Sequence, residues 1–395
     1  MSDRASYIVA PVRTAIGKFG GSFVDTPAAE LGGFAARETL KRSGIDPKLV
    51  GEVIIGHGRQ GGNRPNPARQ VQWKAGIPQE TPAYTVNKAC ASSLKAITLA
   101  AGAIRLGEQE VVLAGGQENM SRTPFFLEKA RWGYRLGHAE ITDGMYLDGF
   151  MCPLCNELMG ATAENLAVKY SLSRDDQDRY AVETQRRCAE ATKAGKFKEE
   201  IAPVEVSGRK GPVKVEVDEH PRADATIEGM RKLPPVFKKD GTVHAGNSSG
   251  ITDGAATMLV ASGDAVKAHG LVPEARVVDW TVAGVDPSIM GIGPVPAVRA
   301  LLARNHLTMG DIDLIELNEA FAAQALAVAD ELGLDLARTN IDGGALALGH
   351  PLGATGARIT GKAAALLQRE NKQFALATQC IGGGQGIATI LEAVR

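Results

Sequence analysis

Short unbroken hydrophobic runs alternate with segments of helical periodicity in the first 120 residues. The runs lack the polar alternation of a half-exposed strand, which predicts strands buried on both faces. Buried strands separated by helices are typical of parallel sheets covered by helices. The predicted strands are residues 7–10, 52–56 and 110–116, and the predicted helices are residues 28–42, 66–75 and 96–106.

The pattern changes between residues 121 and 250, where charged residues, prolines and irregular segments become more frequent. Helices are predicted only at residues 161–170 and 174–195, the second opened by the cap-like Ser173. This segment is interpreted as an inserted subdomain of loops and helices. The hydrophobic pattern typical of a buried strand returns at residues 257–260.

The last third of the chain repeats the order of the first. Cys90 and His350 each stand just before a long alanine-rich helix, which is followed by a buried strand and a glycine cluster. This similarity indicates an internal duplication. The predicted elements are strands 313–317, 374–380 and 386–391 and helices 320–331 and 353–370.

Composition narrows the class of protein. A chain of 395 residues is too long for one ordinary core, so two or more domains are expected. The net charge of −1 gives no field for binding nucleic acid, and we expect no membrane contact because no apolar run reaches spanning length. Five cysteines are a poor disulfide framework, and no targeting segment is recognised, so a reducing, cytoplasmic location is expected.

Cys90 is the first candidate for chemistry, because it stands where a short extended run turns into a helix. Unpaired N–H groups and the positive end of the helix dipole are expected there, and both favour the nucleophilic thiolate. The alternative is a small buried hydrophobic residue, and this stretch alone favours that alternative.

His350 and Cys380 are the other candidates. If the two halves pack about a pseudo-twofold axis, both helix starts and the glycine turn after Cys380 would meet at the strand ends. A histidine could activate the Cys90 thiol, a second cysteine could act as acid and base, and glycine N–H groups could form an oxyanion hole. Each feature on its own is more often an ordinary loop or turn.

The spacing of Cys152 and Cys155 matches a CxxC pattern, but the chain offers no second ligand pair with zinc spacing. We interpret these residues as two structural thiols. The remaining histidines are scattered along the chain, so no metal site is expected.

Seven motifs in a fixed order make this sequence resemble the thiolase family over nearly the whole chain. The motifs are NKACASS (87–93), GGQENMS (115–121), MGATAEN (159–165), GTVHAGNSSG (241–250), NEAFA (318–322), GGALALGHP (343–351) and CIGGGQG (380–386).

The resemblance implies an α/β fold of five layers, α-β-α-β-α, built from two duplicated βαβαβαββ halves with an inserted loop domain. The implied N-terminal half comprises residues 1–120 and 251–272. The loop domain that would hold coenzyme A (CoA) comprises residues 121–250, and the C-terminal half residues 273–395.

The resemblance also implies roles for five residues. Cys90 would be acylated, His350 would activate it, and Cys380 would move a proton to or from the alpha carbon of the acetyl group. Asn318 would hold a water that, with His350, stabilises an enolate oxygen. The backbone N–H groups of Cys90 and Gly382 would form a second oxyanion hole.

The implied substrates are CoA and acyl-CoA thioesters, in either 3-ketoacyl-CoA cleavage or the reverse Claisen condensation, with no metal or other cofactor. Members of the family are usually dimers or dimers of dimers, so a homo-oligomer is expected, and residues 125–144 resemble a region where some members form a tetramer contact. The residues matched to the CoA site are Arg222, Ala245 and Ser249. The residues matched to the acyl pocket are Met159, Met290 and Phe321, for which the alternative is that they are ordinary core residues.

Two alternatives are kept. An irreversible ketoacyl synthase-like enzyme would lack a second catalytic cysteine, and a non-catalytic thiolase-like binding protein would lose its nucleophile. The joint presence of Cys90, Asn318, His350 and Cys380 argues against both. The sequence departs from the family pattern at four positions, which are Leu158, His244, Ser248 and Asp342.

Overall fold

A computed structural model describes residues 4–208 and 211–395 of the chain. The elements up to residue 120 are β1 (Ser6–Thr14), β2 (Gly17–Lys18), α1 (Ala28–Ser43), β3 (Glu52–Gly56), α2 (Pro67–Lys74), β4 (Ala83–Val86), α3 (Ser92–Leu106) and β5 (Val111–Asn119). The following segment, residues 121–250, contains β6 (Phe125–Phe126), β7 (Thr142–Asp143), β8 (Met151–Cys152), β9 (Glu157–Leu158), α4 (Met159–Lys169), α5 (Arg174–Lys193), β10 (Ile201–Ala202), β11 (Val204–Gly208), β12 (Gly211–Val215) and α6 (Ile227–Arg231). The remaining elements are β13 (Thr252–Ser262), α7 (Gly263–His269), β14 (Pro273–Gly284), α8 (Pro294–Arg304), β15 (Leu314–Leu317), α9 (Ala322–Leu332), α10 (Ala345–Leu348), α11 (Leu352–Arg369), β16 (Phe374–Ile381) and β17 (Gln385–Ala393).

The two halves build their sheets in the same strand order. The N-terminal half runs β4-β3-β5-β13-β1, and the C-terminal half runs β15-β16-β17-β14. In each half the first pairings are parallel and the last two are antiparallel. A parallel bridge between Ile315 and Thr339 takes the place of β4 in the second half. The match confirms the predicted duplication.

The halves are joined edge to edge by antiparallel pairing of β1 with β14, in which Ser6 lies opposite Val277 and Ile8 opposite Ala275. Backbone hydrogen bonds therefore make one continuous sheet from both halves. Two short strands, β2 and β10, add to it by pairing with β13 and β1.

The core has the predicted five layers. Helices α3 and α11 lie in the middle, where residues such as Ile97 and Ile359 pack against strand residues from both halves. Helices α1 and α2 cover the outer face of the first half, and α8 and α9 cover that of the second. Burial on both faces of the sheet explains why strands such as β3, β5 and β13 contain continuous hydrophobic runs.

Small residues let the two central helices approach closely. A side chain at Gly356 in α11 would collide with the backbone of Leu94 in α3. The Ser93 hydroxyl accepts a hydrogen bond from the N–H of Ala357, at 2.8 Å. The starts of both helices are therefore fixed against each other.

The stretch Ala89–Leu106 is long and apolar enough to span a membrane by length and composition alone. The expectation that no apolar run reaches that length is therefore wrong for this stretch. Its residues are 61% buried inside the fold, because α3 lies in the central layer.

Most predicted elements agree with the structure to within a few residues. Helix α1 ends at Gly44, whose φ of 69° places it in the left-handed region, and Ser173 opens α5 with a capping box. The sequence prediction missed β14 and α8. The helices of the segment 121–250 pack on the C-terminal half through α9 and α10, and the predicted domain boundaries stay a prediction.

Candidate active site

A cavity of about 650 Å³ lies where the starts of α3 and α11 meet the turn between β16 and β17. A second cavity, of about 570 Å³, is lined by other residues, including the charged Arg13 and Lys362. Asn318 and Cys380 are buried close to the first cavity. The predicted site residues that line it are Cys90, Met159, Arg222, Ala245, Ser249, Met290, Phe321, His350 and Gly382.

Cys90 lies in a tight connection between β4 and α3. Ala89 has a φ of 45°, a left-handed conformation that costs energy for a residue with a side chain. The Asn87 carboxamide oxygen accepts from the N–H of Ala89 at 3.0 Å, and the Ser92 hydroxyl accepts from the N–H of Lys88 at 2.9 Å. These local hydrogen bonds hold the strained turn and fix the position of the thiol.

The second half of the molecule reaches Cys90 through two polar side chains. The Gln379 amide donates to the carbonyl oxygen of Cys90. Lys88 donates to the Gln385 carboxamide oxygen at 2.7 Å. Both partners lie on β16 or β17, so the strand pair after the glycine turn is tied to the Cys90 loop.

The environment of the Cys90 thiol differs from the expectation that the helix start favours the thiolate. Burial raises the pKa of the thiol, while the N–H groups of Gly382 and Cys90 and the charge of Arg59 act to lower it. The net direction is upward, so the expectation is wrong for the free protein. Removing the thiolate from water outweighs the helix start and the nearby donors.

His350 is held as a neutral base. Its Nδ1 lies 2.6 Å from the Thr355 hydroxyl, which in turn donates to the carbonyl oxygen of Pro351 at 3.3 Å. This chain assigns the ring proton to Nδ1 and leaves Nε2 as the acceptor. Burial and the nearby Arg358 charge lower the pKa of His350 to about 3.

Asn318 faces the free nitrogen of His350. Its side-chain amide lies 3.4 Å from Nε2, and its own N–H donates to the carbonyl oxygen of Thr378 at 3.0 Å. The Oδ1 atom of Asn318 is buried and, among the residues described, has no hydrogen-bond partner. Such an acceptor calls for a water or ligand donor.

Cys380 lies among the residues matched to the acyl pocket. It is fully buried and clusters with Met290 and Ala320, with Met159 and Phe321 packed beside them. Burial and proximity to Cys90 raise the pKa of the Cys380 thiol well above its usual range. Cys380 is therefore protonated at neutral pH.

The glycine turn places a backbone N–H at the Cys90 sulfur. Gly383 and Gly384 have φ values of 85° and 82°, which favour glycine, and Gly384 accepts from the N–H of Val285 at 2.7 Å. The N–H of Gly382 faces the Cys90 thiol and acts to lower its pKa. Two N–H groups thus face one point of the cavity.

Glu118, at the end of β5, ties together the loops around the site. Its carboxylate accepts from the N–H groups of Gly58 at 2.9 Å, Arg59 at 3.1 Å and Gly353 at 2.9 Å, and it lies 3.2 Å from His57. Burial alone would raise its pKa, but His57 and these N–H groups lower it. Glu118 therefore links the loop after β3 to the start of α11.

Sequence reasoning missed the functional importance of Arg59, Glu118 and Thr355. Glu118 falls within one of the seven motifs, which was a usable signal, although the motif alone gives it no role. Thr355 stands five residues after His350, where one turn of helix can return a hydroxyl to the ring. For Arg59 the sequence pattern carries no signal, because its position depends on packing between distant segments.

The residues matched to the CoA site lie at another part of the cavity wall. The N–H of Arg222 donates to the Gln185 carboxamide oxygen at 2.8 Å, and the N–H of Ser249 donates to the carbonyl oxygen of Ala320 at 2.9 Å. Ala245 also lines this wall. Their backbones are held by the fold, and the Arg222 side chain is exposed at the cavity wall.

Three of the four departures have structural partners. His244 lies 2.7 Å from Asp178, and Ser248 donates to the carbonyl oxygen of His244 at 2.8 Å. Asp342 accepts from three cations, at 3.0 Å from Lys196, 2.7 Å from Lys362 and 2.6 Å from Arg369. The fourth, Leu158, lines the cavity directly.

Cys152 ends β8 and Cys155 lies in the turn that leads to β9, where burial and the neighbouring Cys152 raise the pKa of the Cys155 thiol. Across residues 4–208 and 211–395, no group of three histidine, cysteine or acidic side chains is arranged to hold a metal ion.

Comparisons with known proteins agree along the whole chain. The family models "Thiolase, N-terminal domain" and "Thiolase, C-terminal domain" match residues 6–264 and 271–393. An acetyl-CoA acetyltransferase of Pseudomonas aeruginosa is 50% identical over 385 residues, covering 97% of this chain and 98% of the relative. The crystal structure of the Bacillus anthracis acetyl-CoA acetyltransferase superposes with a TM-score of 0.97 at 43% identity, and human mitochondrial 3-ketoacyl-CoA thiolase in complex with CoA with 0.95 at 44%, each covering 100% of both chains.

Proposed function

The chain belongs to the thiolase family and is an acyltransferase. We therefore propose that CoA and its acyl thioesters bind in the Cys90 cavity. The enzyme cleaves a 3-ketoacyl-CoA with free CoA or runs the reverse Claisen condensation. The relatives include both acetyl-CoA acetyltransferases and 3-ketoacyl-CoA thiolases. The structure of a relative with CoA bound supports CoA as the ligand.

One observation carries the proposed mechanism: a half-buried thiol and a neutral imidazole line one cavity, and the N–H groups of Cys90 and Gly382 act on the thiol. In the cleavage direction, Nε2 of His350 takes the Cys90 proton as the sulfur attacks the 3-keto carbon. The N–H groups of Cys90 and Gly382 stabilise the negative oxygen that forms. The bond between C2 and C3 then breaks and leaves an acyl group on Cys90.

Cys380 completes the proton balance. The acetyl-CoA enolate released by bond cleavage takes the Cys380 proton on its alpha carbon. Incoming CoA gives its thiol proton to the resulting Cys380 thiolate and attacks the acyl-Cys90 thioester. The Cys90 thiolate leaves and regains a proton from His350, so the enzyme returns to its starting state.

The enolate oxygen needs its own stabilising site, because a thioester carbanion is costly. We assign this role to a water held by Asn318, together with His350. The buried Oδ1 of Asn318, which lacks a protein partner within the described part of the chain, supports this assignment. All steps use thiol, imidazole and amide groups, and they invoke no metal or redox cofactor.

The remaining lining residues divide between the two ends of the substrate. Arg222, Ala245 and Ser249 would contact CoA, with the Arg222 guanidinium near its adenine end. Met159, Met290 and Phe321 would surround the acyl group beside Cys380. Thiolysis rates measured across 3-ketoacyl-CoA chain lengths will assign the substrate preference.

The decisive experiment is mass spectrometry after mixing with acetyl-CoA. We expect an acetyl adduct on Cys90, no adduct in Cys90→Ala, and loss of acetoacetyl-CoA thiolysis in that variant. Cys380→Ala should still form the adduct but fail to condense it. An unmodified Cys90 in the wild-type protein would refute the proposed mechanism.

We also propose that the enzyme is a cytoplasmic homotetramer, assembled as a dimer of dimers, in fatty acid metabolism. Support comes from a segment with solvent-exposed apolar side chains, which matches the region where some family members form a tetramer contact. The exposed side chains of this segment, called the arm below, are Phe125, Leu127, Trp132, Tyr134, Leu136 and Ile141.

A further inference from the structure

Arg59 is a buried cation in the wall of the cavity that contains Cys90. It lies in the loop after β3, and only 3% of its surface is exposed. Burying a guanidinium is costly unless its charge is used. The mechanism proposed above assigns it no role.

The guanidinium is held in place by three neighbours. One nitrogen, Nη1, donates to the carbonyl oxygen of Met145 at 2.8 Å, and the group lies 4.5 Å from the centre of the Phe150 ring. Gly149 packs against the guanidinium so closely that any side chain there would collide with it. The residues from 145 to 150 therefore fix Arg59 as part of the cavity wall.

Among the described residues, no carboxylate accepts a hydrogen bond from the Arg59 guanidinium. Its Nε and Nη2 atoms have no hydrogen-bond partner among residues 4–208 and 211–395. Asp143, Asp148 and Glu118 act on it through space. The Glu118 oxygens already accept from three backbone N–H groups and contact His57.

The loop that carries Arg59 is attached to the Cys90 loop. The Asn87 amide donates to the carbonyl oxygen of Gly58 at 2.9 Å, and a side chain at Gly58 would lie 3.6 Å from the carbonyl oxygen of Ala89. Arg59 and Cys90 line the same cavity, and the charge of each acts on the other.

The other titratable groups facing Cys90 do not stabilise its thiolate. Glu118 is negative and opposes it, and Cys380 lies close by as a neutral thiol. His350 is neutral, because its pKa is lowered to about 3. Among the described residues, Arg59 is the cation whose charge is seen to oppose the effect of burial on the Cys90 sulfur.

We infer that Arg59 is a positioning residue for the acyl transfer reaction: its charge stabilises the Cys90 thiolate as the thiol loses its proton. The inference rests on the proposed role of Cys90. A cation within roughly 10 Å changes the thiolate population about tenfold at the effective dielectric constant usual for protein sites.

The test compares Arg59→Lys with Arg59→Gln, since these side chains differ mainly in charge. The measurement is the rate of Cys90 alkylation by iodoacetamide across a pH series, read by peptide mass spectrometry. We expect Arg59→Gln to raise the midpoint by about one pH unit and to slow alkylation at neutral pH roughly tenfold. Arg59→Lys should stay close to the wild-type profile.

Arg64→Gln is the matched control, because Arg64 is exposed and lies in the same loop. It should leave the profile unchanged. Thermal unfolding checks that the variants fold, and Arg59→Met supplies a second neutral variant. Equal midpoints for the lysine and neutral variants would overturn the inference.

A separate measurement distinguishes this failure from failure of the proposed function. If wild-type Cys90 forms the acetyl adduct but the midpoints do not differ, only the role of Arg59 is wrong. If Cys90 never forms the adduct, the proposed mechanism fails, whatever the alkylation profiles show.

Discussion

Burial and hydrogen-bond donors have opposite effects on negative charge at the Cys90 site, and they act at different stages of the reaction. Burial raises the pKa of the thiol in the free protein. The N–H groups of Cys90 and Gly382 gain most when negative charge develops beside them. The site therefore keeps the Cys90 thiol protonated before the reaction and stabilises negative charge only in the intermediate. Because little thiolate is present at rest, the sulfur is protected from side reactions.

His350 allows a prediction about pH. Its pKa of about 3 in the fold lies below the ordinary value of 6.5. An unfolded chain takes up this proton as the pH falls below 6.5 and the folded chain does not, so the stability that this histidine contributes is present above 6.5 and is lost towards pH 3.

The same neutrality should appear in the rate of Cys90 acetylation by acetyl-CoA. We expect no change attributable to His350 as the pH is lowered through 6.5, because Nε2 stays available as a base. Rapid-quench mass spectrometry measures this rate in the first turnover, before the CoA that the step releases can accumulate. A decline with a midpoint near 6.5 would show that the ring titrates normally and that the assigned environment is wrong.

Among single residues, those with local signals could be predicted from the sequence. Cys90, His350 and Cys380 stand next to helix starts or glycine turns that the sequence displays directly. Arg59 carries no such signal, since its neighbours are Met145 and Phe150, far along the chain. The direction of the Cys90 pKa shift was also beyond reach, because it depends on burial by segments that are distant in the chain.

The turn between β16 and β17 is the element on which the N–H of Gly382 depends. Gly384 is packed against the backbone, with a side chain at this position placed 2.8 Å from the nitrogen of Pro287 and in collision with the carbonyl oxygen of Val285. Gly383 has a similar φ but faces open space, with only Leu154 nearby, at 3.8 Å.

These neighbouring glycines form a matched pair for mutation. Gly383→Ala should cost about 1 kcal/mol of unfolding free energy, from its left-handed backbone alone. Gly384→Ala should cost about 3 kcal/mol and slow Cys90 acetylation at least tenfold, since the collision displaces the turn. Guanidinium unfolding and the adduct rate provide the two readouts. Equal effects of the two substitutions would contradict this account of the turn.

Elements with clear end signals were predictable, and those without them were not. Ser173 and Gly44 mark helix ends through local backbone hydrogen bonds. Strand β14 begins at Pro273 and is only half-buried along most of its length, so it lacks a continuous hydrophobic run. Helix α8 begins at Pro294, and because proline is equally typical of loops, the sequence does not mark this helix start clearly.

At the scale of the whole molecule, the arm presents a strongly apolar surface to solvent. Trp132 is 85% exposed and Leu136 is fully exposed. Exposed apolar patches of this kind are typical of protein–protein contacts. The proposal that the arm joins two dimers therefore has a direct test.

We expect the double variant Trp132→Ser and Leu136→Ser to change a tetramer into a dimer, measured by light scattering after size exclusion. Val272→Ser is the control, because Val272 is 78% exposed but lies outside the arm. It should leave the tetramer intact. A wild-type protein that is already dimeric would refute the tetramer proposal.

The duplication could be inferred from the repeated pattern of Cys90 and His350 before similar helices, whereas the order of layers followed only from the resemblance to the thiolase family. The joining of the halves through β1 and β14 could not, because one partner, β14, was not recognised. Register between distant strands depends on the packing of the complete fold, which short-range patterns do not encode.

The position of the insertion has a consequence for how the chain assembles during synthesis. Strands β5 and β13 are sheet neighbours, with Asn119 opposite Asp253, but the insertion separates them in the chain. The first strand, β1, pairs with β13, β14 and the short β10, so it has no long partner until residue 262 has been translated. By contrast, β14 to β17 come from one uninterrupted stretch. The entropic cost of closing a long loop grows only slowly with its length, so the insertion is tolerated thermodynamically. During synthesis, however, the edge of the N-terminal sheet stays unpaired until the strands after the insertion have been translated.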